Sequence, residues 1–238
     1  MQAAALALQN FEIRLRQNPY PGRGLVIGRA TADEWIIVYW IMGRSVQSRN
    51  RRFVAEGSTL RTEPLDASLV TDPSLIIYEA MLDLPGIYLV SNGDQTRTVC
   101  DALQNGGTFE SALATREREP DAPNFTPRIS GMLDLSGESG AVTLSILKAN
   151  LIDPAFTDRF TFRPAIPVPG FGFGLTTYDG DGSPLPSFAG TPLLLPLTGT
   201  PESILATYWD ALNADNRVAL AVKHITPSGA TISIRNRE

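Results

Sequence analysis

A chain of 238 residues makes one large domain or two small ones, and at that length roughly 70–75% of the unfolded surface can be buried without disulfides or metals. Hydrophobic residues at 43% and charged residues at 19%, with both signs mixed along the chain, exclude a disordered protein, and a formal net charge of -5 argues against a nucleic acid partner. One cysteine, Cys100, excludes an internal disulfide, and one histidine, His224, leaves no Cys/His set for a zinc site, so the composition fits the reducing cytosol.

Ala3 to Leu8 reads as a first helix. The apolar stretch is too short to span a bilayer, and the charges Arg14 and Arg16 follow it rather than precede it as in a leader. The segment Asn18-Pro19-Tyr20-Pro21-Gly22-Arg23-Gly24 stops helical structure and leads into strands at Leu25 to Gly28 and Glu34 to Met42, joined by a hairpin at Thr31-Ala32-Asp33. The second strand is apolar on both faces and so belongs in the middle of a covered sheet. Further strands are expected at Phe53 to Glu56, Thr59 to Glu63, Ser74 to Tyr78 and Ile87 to Ser91. A helical pair follows, Asp94 to Leu103 and a second helix opened by Thr108 as N-cap with Ser111 at N3.

The second half predicts strands at Arg128 to Leu135, Ala141 to Leu147, Phe160 to Ala165, Gly172 to Thr177, Val218 to Ile225 and Thr231 to Arg235, and a helix at Pro201 to Leu212. Pro184 to Pro196 reads as a surface crossing, not a domain linker. Strands, then helices, then strands again, without regular alternation, give an α+β class with largely antiparallel sheets over a single domain, 1–238.

No familiar nucleophile set can be built. His224 lies mid-strand among apolar neighbours, Cys100 lies in a helix as an inert thiol, and the glycine-rich pieces lack the spacing of a phosphate loop. Three polar clusters remain. Gly43 to Arg52 packs Arg44, Arg49, Arg51 and Arg52 into a turn after the apolar strand; it is either a solvated turn or a phosphate clamp. Ser91-Asn92-Gly93-Asp94-Gln95-Thr96 joins a strand to a helix, where Asn92 or Asp94 caps the helix or free amides face an anion. Thr115 to Arg128 is either a solvated helix end or a charged wall ahead of a strand. The clusters occur in order, with Tyr78 between the first two.

Taken jointly with Asp72-Pro73-Ser74-Leu75-Ile76-Ile77-Tyr78, Thr126-Pro127-Arg128-Ile129, Tyr178 and Gly180-Asp181-Gly182, these stretches make the sequence similar to the archaeal-type IMP cyclohydrolase family, in its bacterial branch, over nearly the whole chain. The resemblance implies a four-layered αββα sandwich of largely antiparallel sheets, like that of N-terminal-nucleophile hydrolases but without autoprocessing. It implies a cytoplasmic enzyme, free of cofactor and metal, that dehydrates 5-formamidoimidazole-4-carboxamide ribonucleotide to IMP. The implied partner is a purine ribonucleotide, with no nucleic acid and no membrane; a homo-oligomer is compatible with it.

By position the resemblance assigns Tyr78, Glu117 and Arg128 to catalysis: Tyr78 as donor to the formyl oxygen, Arg128 on an anion or the departing oxygen, and Glu117 among Glu117, Glu119 and Asp121 as the proton-transfer carboxylate. It assigns Arg44, Ser45, Asn50, Asn92, Asp94, Asn124 and Tyr178 to the substrate, with Arg49 and Arg51 as alternatives for the second arginine. A non-catalytic purine-nucleotide-binding protein, or a hydrolase of a related small nucleotide, would share the same clamp.

Overall fold

The longest apolar run of the sequence fixes the middle of the molecule. All eight residues of Trp35–Met42 are buried, and a strand apolar on both faces is stable only where both faces are covered. The computed structural model, which describes residues 2–70, 76–137 and 140–237, meets this demand with two antiparallel sheets in an α+β arrangement.

The first sheet has six strands. Gly24–Arg29 (β1) and Trp35–Met42 (β2) form its central hairpin, flanked by Phe171–Thr176 (β10) and Leu193–Pro196 (β11) on one side and by Arg217–Thr226 (β12) and Gly229–Asn236 (β13) on the other. The second has seven strands in chain order: Arg52–Glu56 (β3), Thr59–Glu63 (β4), Glu79–Leu84 (β5), Ile87–Ser91 (β6), Arg128–Asp134 (β7), Ala141–Ala149 (β8) and Thr157–Phe162 (β9). Gln95–Gln104 (α3) and Phe109–Ala114 (α4) are inserted between β6 and β7, after the four-residue α2 at Val46–Arg49.

Strand alternation sorts the core into layers. Met81, Val90 and Ile146 point into the large core shared with the six-stranded sheet, while their neighbours Leu82, Leu89 and Leu147 point the other way, onto Val99, Cys100, Phe109 and Leu113 of the helical pair. On the far side Gln2–Phe11 (α1) and Pro201–Ala211 (α5) cover the six-stranded sheet, Phe11 meeting Tyr208 edge to face at 5.1 Å. Gly24 belongs to this packing, since a Cβ there would stand 2.0 Å from the Trp40 ring.

Several boundaries differ from the sequence expectation for local reasons. The first helix runs on through a π-helical turn at Glu12–Arg16 before the Pro/Gly segment ends it. The last residues of the expected surface crossing form β11; Pro196 is tolerated because β11 is an edge strand. β9 starts at Thr157, ahead of Phe160, and stops before Pro164. The strand expected at Ser74 to Tyr78 falls partly on residues 71–75, outside the described residues, and β5 begins only at Glu79.

β5 hides in the sequence because Asp83 interrupts its apolar run. Lys223 of β12, fully buried, answers it: its Nζ donates to the Asp83 carboxylate and, at 2.7 Å, to the Ser58 carbonyl, tying the two sheets together. Burial lowers the Lys223 pKa, and Asp83 opposes that shift. Asp83→Asn therefore strands a buried ammonium and is expected to cost about 3–5 kcal/mol by urea denaturation at neutral pH. Pairing it with Lys223→Met should recover most of the loss; equal destabilisation of the single and double variants would exclude this account.

Candidate functional site

Strand register brings two sheet ends together. Gly24, the first residue of β1, lies opposite Trp40 near the end of β2 and opposite Thr176 at the end of β10, so Arg23, Met42 and Thr177-Tyr178 gather at one end of the six-stranded sheet. In the other sheet Ser91 pairs with Ser130, which sets Asn92 and Pro127 at the facing end.

Arg23 crosses between them. Its Nη1 donates to the Asn92 carbonyl at 3.1 Å and lies 2.8 Å from Glu119 Oε1, while Nη2 donates to Glu119 Oε2 at 2.9 Å. Both side chains are more than nine-tenths buried. Burial acts to lower the Arg23 pKa, but Glu119 outweighs it and holds the guanidinium well above its ordinary value. Glu119 is fixed in turn by its own backbone, whose N–H donates to the Thr126 carbonyl at 3.0 Å.

The pair forms part of the wall of a cavity of about 400 Å³, within the usual range for small-ligand sites. Three arginines (Arg23, Arg44 and Arg51) and two carboxylates (Glu119 and Asp121) line it. Arg51, only 7% exposed, donates from Nε to the Ser48 carbonyl and forms no ion pair among the described residues. Arg44 is more exposed, bound to Asp181 and the Gly182 carbonyl and lying 4.9 Å over the Tyr20 ring. Tyr20 stacks on Tyr178 at 6.0 Å. Gly22 permits that wall, since its φ of +73° is left-handed and a Cβ there would stand 2.5 Å from the Tyr178 ring.

The description "IMP cyclohydrolase-like protein" belongs to the family model that matches residues 20–229, a span that includes every residue lining this cavity. The chain belongs to that family. An IMP cyclohydrolase of Methanopyrus kandleri is 30% identical to it over 172 residues, covering 71% of this chain and 79% of the relative. One from Methanothrix thermoacetophila is 31% identical over 130 residues, covering 53% and 62% respectively.

Of the residues that the resemblance assigned in this IMP cyclohydrolase-like chain, the structure brings Arg44, Ser45, Arg51, Asn124 and Tyr178 into the cavity wall. The others stand behind or outside it. Arg49 turns away, from Nε to the Gly43 carbonyl at 2.8 Å and from Nη2 to Asn216. Asn50 clamps the backbone of Asp66 through both its donor and its acceptor. Tyr78 is buried, its hydroxyl 2.8 Å from that of Tyr39. Burial, then the Tyr78 hydroxyl, raise the Tyr39 pKa well above its ordinary value against the pull of Arg23 and Arg51.

Asn92 is a strand fastener. Its Nδ2 donates to the Pro127 carbonyl at 2.8 Å and its Oδ1 accepts from the Ile129 N–H and from Gln95. Glu117 is exposed and pairs with Arg159 at 2.5 Å, its carboxyl lowered first by the Thr157 hydroxyl. Tyr20, Arg23 and Thr126 are cavity residues to which sequence reasoning gave no role, while Glu119 and Asp121, weighed there beside Glu117, are the carboxylates that line the wall. The available signal was Arg23 itself: a charge between two glycines at the mouth of an apolar strand requires a buried partner.

Asp94 receives Arg128 at 2.8 Å and Arg116 at 2.5 Å. Burial acts to raise its carboxyl pKa, but the two arginines outweigh it and hold the group below its ordinary value. A depressed folded pKa contributes stability above the unfolded value of about 3.9 and loses it as pH falls through the folded one. The melting temperatures of the native protein and Asp94→Asn should differ at neutral pH and converge below about pH 4; a gap independent of pH would contradict the ion-pair origin.

Proposed function

We propose that this protein is an IMP cyclohydrolase, closing the purine ring of 5-formamidoimidazole-4-carboxamide ribonucleotide with release of water. The observation that carries the reading is a cavity of small-ligand size in which Arg51, without a protein counter-ion among the described residues, shares the wall with the buried Arg23–Glu119 pair. The names of the two archaeal relatives support the same chemistry. The proposal takes 1–238 as one domain. Its facing sheets with helices outside suit a four-layered αββα sandwich of the N-terminal-nucleophile hydrolase kind, acting on a free nucleotide in the cytoplasm.

The reaction joins two groups of one molecule. The carboxamide nitrogen adds to the formyl carbon; the formyl oxygen then leaves as water, with one hydrogen from that nitrogen and one from the formamido nitrogen. A free carboxamide is barely acidic, but after addition the nitrogen is cationic and a carboxylate suffices to take its proton. Glu119 fills that role, and Arg23 offers N–H to the oxygen as negative charge develops, a contribution of about 3–4 kcal/mol for a well-aimed donor. Holding both groups in contact contributes several kcal/mol more.

Arg51, with Arg44 and Ser45, takes the phosphate, since guanidinium forks suit its oxygens. Asn124 and Tyr178 meet the heterocycle. Tyr78 backs the site through Tyr39, and Arg128, Asp94 and Asn92 fix the strand ends that carry Arg23 and Glu119.

Absorbance-monitored conversion of the formamido ribonucleotide to IMP by chelator-treated protein tests this. Arg51→Ala should raise KM about 10- to 100-fold with little change in kcat, and Glu119→Gln should lower kcat by about 100-fold or more, while Glu117→Gln retains turnover. Binding of IMP without any turnover would instead make the protein a nucleotide-binding one, and full turnover in Glu119→Gln would remove the role given to that carboxylate.

A further inference from the structure

The cavity wall contains a chain of three oxygens whose proton order is forced. Asp121 Oδ1 accepts the Thr126 N–H at 2.7 Å and its Oδ2 accepts the Thr126 hydroxyl at 2.5 Å; Thr126 Oγ1 lies 2.5 Å from the Tyr178 hydroxyl. A carboxylate only accepts, and a threonine hydroxyl has one proton to give. That proton goes to Asp121, so the Tyr178 O–H must point at Thr126 Oγ1. Among the described residues no other group hydrogen-bonds to the Tyr178 hydroxyl oxygen. Its lone pairs are therefore what Tyr178 offers to the cavity.

We propose that Asp121 and Thr126 are positioning residues that make Tyr178 an acceptor, so that the site selects ligands presenting an N–H: the carboxamide nitrogen of an open imidazole nucleotide and the N1–H of the closed purine. This rests on the cyclohydrolase reading and specifies which edge of the ligand that site recognises. By accepting one carboxamide N–H, Tyr178 orients the attacking nitrogen without removing its proton. Burial raises the Tyr178 hydroxyl pKa, with Arg23 opposing, so it stays protonated at neutral pH and the order of protons persists. A ligand with a lone pair at the same place meets oxygen lone pairs and is rejected.

Asp121→Asn separates this from a structural role. The amide keeps an oxygen for the Thr126 N–H and turns its NH2 toward Thr126 Oγ1, which reverses the chain: the Thr126 proton passes to the Tyr178 oxygen, and the Tyr178 O–H swings into the cavity as a donor. The probes are IMP and purine riboside 5′-monophosphate, which has a lone pair at N1 and nothing at C6, compared by isothermal titration. The loss of the C6 oxygen is common to all variants and cancels when ratios are compared.

The IMP preference should fall by about tenfold or more in Asp121→Asn, fall also in Thr126→Val and Tyr178→Phe, and persist in Thr126→Ser, which retains the hydroxyl. Thermal melting identifies variants that fail to fold, and Thr126→Ser against Thr126→Val keeps the comparison intact if Asp121→Asn is one of them. Turnover by the native protein with a preference unmoved in Asp121→Asn and Thr126→Val overturns the relay alone. Absence of both turnover and IMP binding overturns the cyclohydrolase reading and the relay with it.

Discussion

Between the ends of the two sheets a guanidinium and a carboxylate, each more than nine-tenths buried, meet in a two-pronged pair. Burying either charge alone costs several kcal/mol, and a buried pair offsets that cost only when its geometry is good and its remaining donors find partners. Here Arg23 also reaches the Asn92 carbonyl, and Glu119 sits in a loop closed on Thr126. Arg23 precedes β1, the first strand of one sheet, while Asn92 follows β6 and Glu119 precedes β7 in the other. The pair therefore reports whether the sheets are in register, and a shift of either would leave a bare charge. Stability and site geometry depend on the same contact.

The rest of the site is arranged around what that pair leaves open. Because Arg23 is neutralised by Glu119 and Arg44 leans on Asp181, Arg51 is the cation in the wall with no anionic partner among the described residues. An anion entering the cavity gains most there, since a guanidinium held by Ser48 and largely desolvated has little water to give up. Part of the same wall is aromatic, with Tyr20 stacked on Tyr178 and Arg44 over Tyr20. Cationic groups and flat aromatic rings in one wall suit a phosphorylated ring compound.

The sheet core was legible because β2 and its neighbours are long and apolar, and periodicity is strongest in such runs. The helix α4 was legible from its cap Thr108, and α5, over the other sheet, from its start at Pro201. β5 and β11 were not, because Asp83 and Pro196 break their patterns and only tertiary partners, Lys223 and an edge position, make them tolerable. At the site, the arginine turn marked Arg44 and Arg51, but one-dimensional spacing does not tell Arg49 from Arg51; a four-residue helix decides it by rotating Arg49 toward Asn216. Glu117 and Glu119 are equally acidic in sequence. What separates them is burial opposite Arg23, a contact 96 positions distant.

The loop that carries Asp121, Asn124 and Thr126 shows how such positions are held. Phe125 has φ +43°, a left-handed conformation that costs a non-glycine residue of order 1–3 kcal/mol. It persists because surrounding contacts over-determine it. The Asn124 and Phe125 N–H groups both turn back to the Asp121 carbonyl, Arg118 lies 4.1 Å over the Phe125 ring, and Asn124 Oδ1 accepts the Leu185 N–H across the cavity. The tight turn lets one carboxylate reach forward to both the N–H and the hydroxyl of Thr126. A relaxed, extended loop would separate residues 121 and 126 by roughly 17 Å. The turn through Phe125 thus holds the acceptor of Asp121 at the hydroxyl of Thr126, the contact on which the proposed direction of the Tyr178 proton rests.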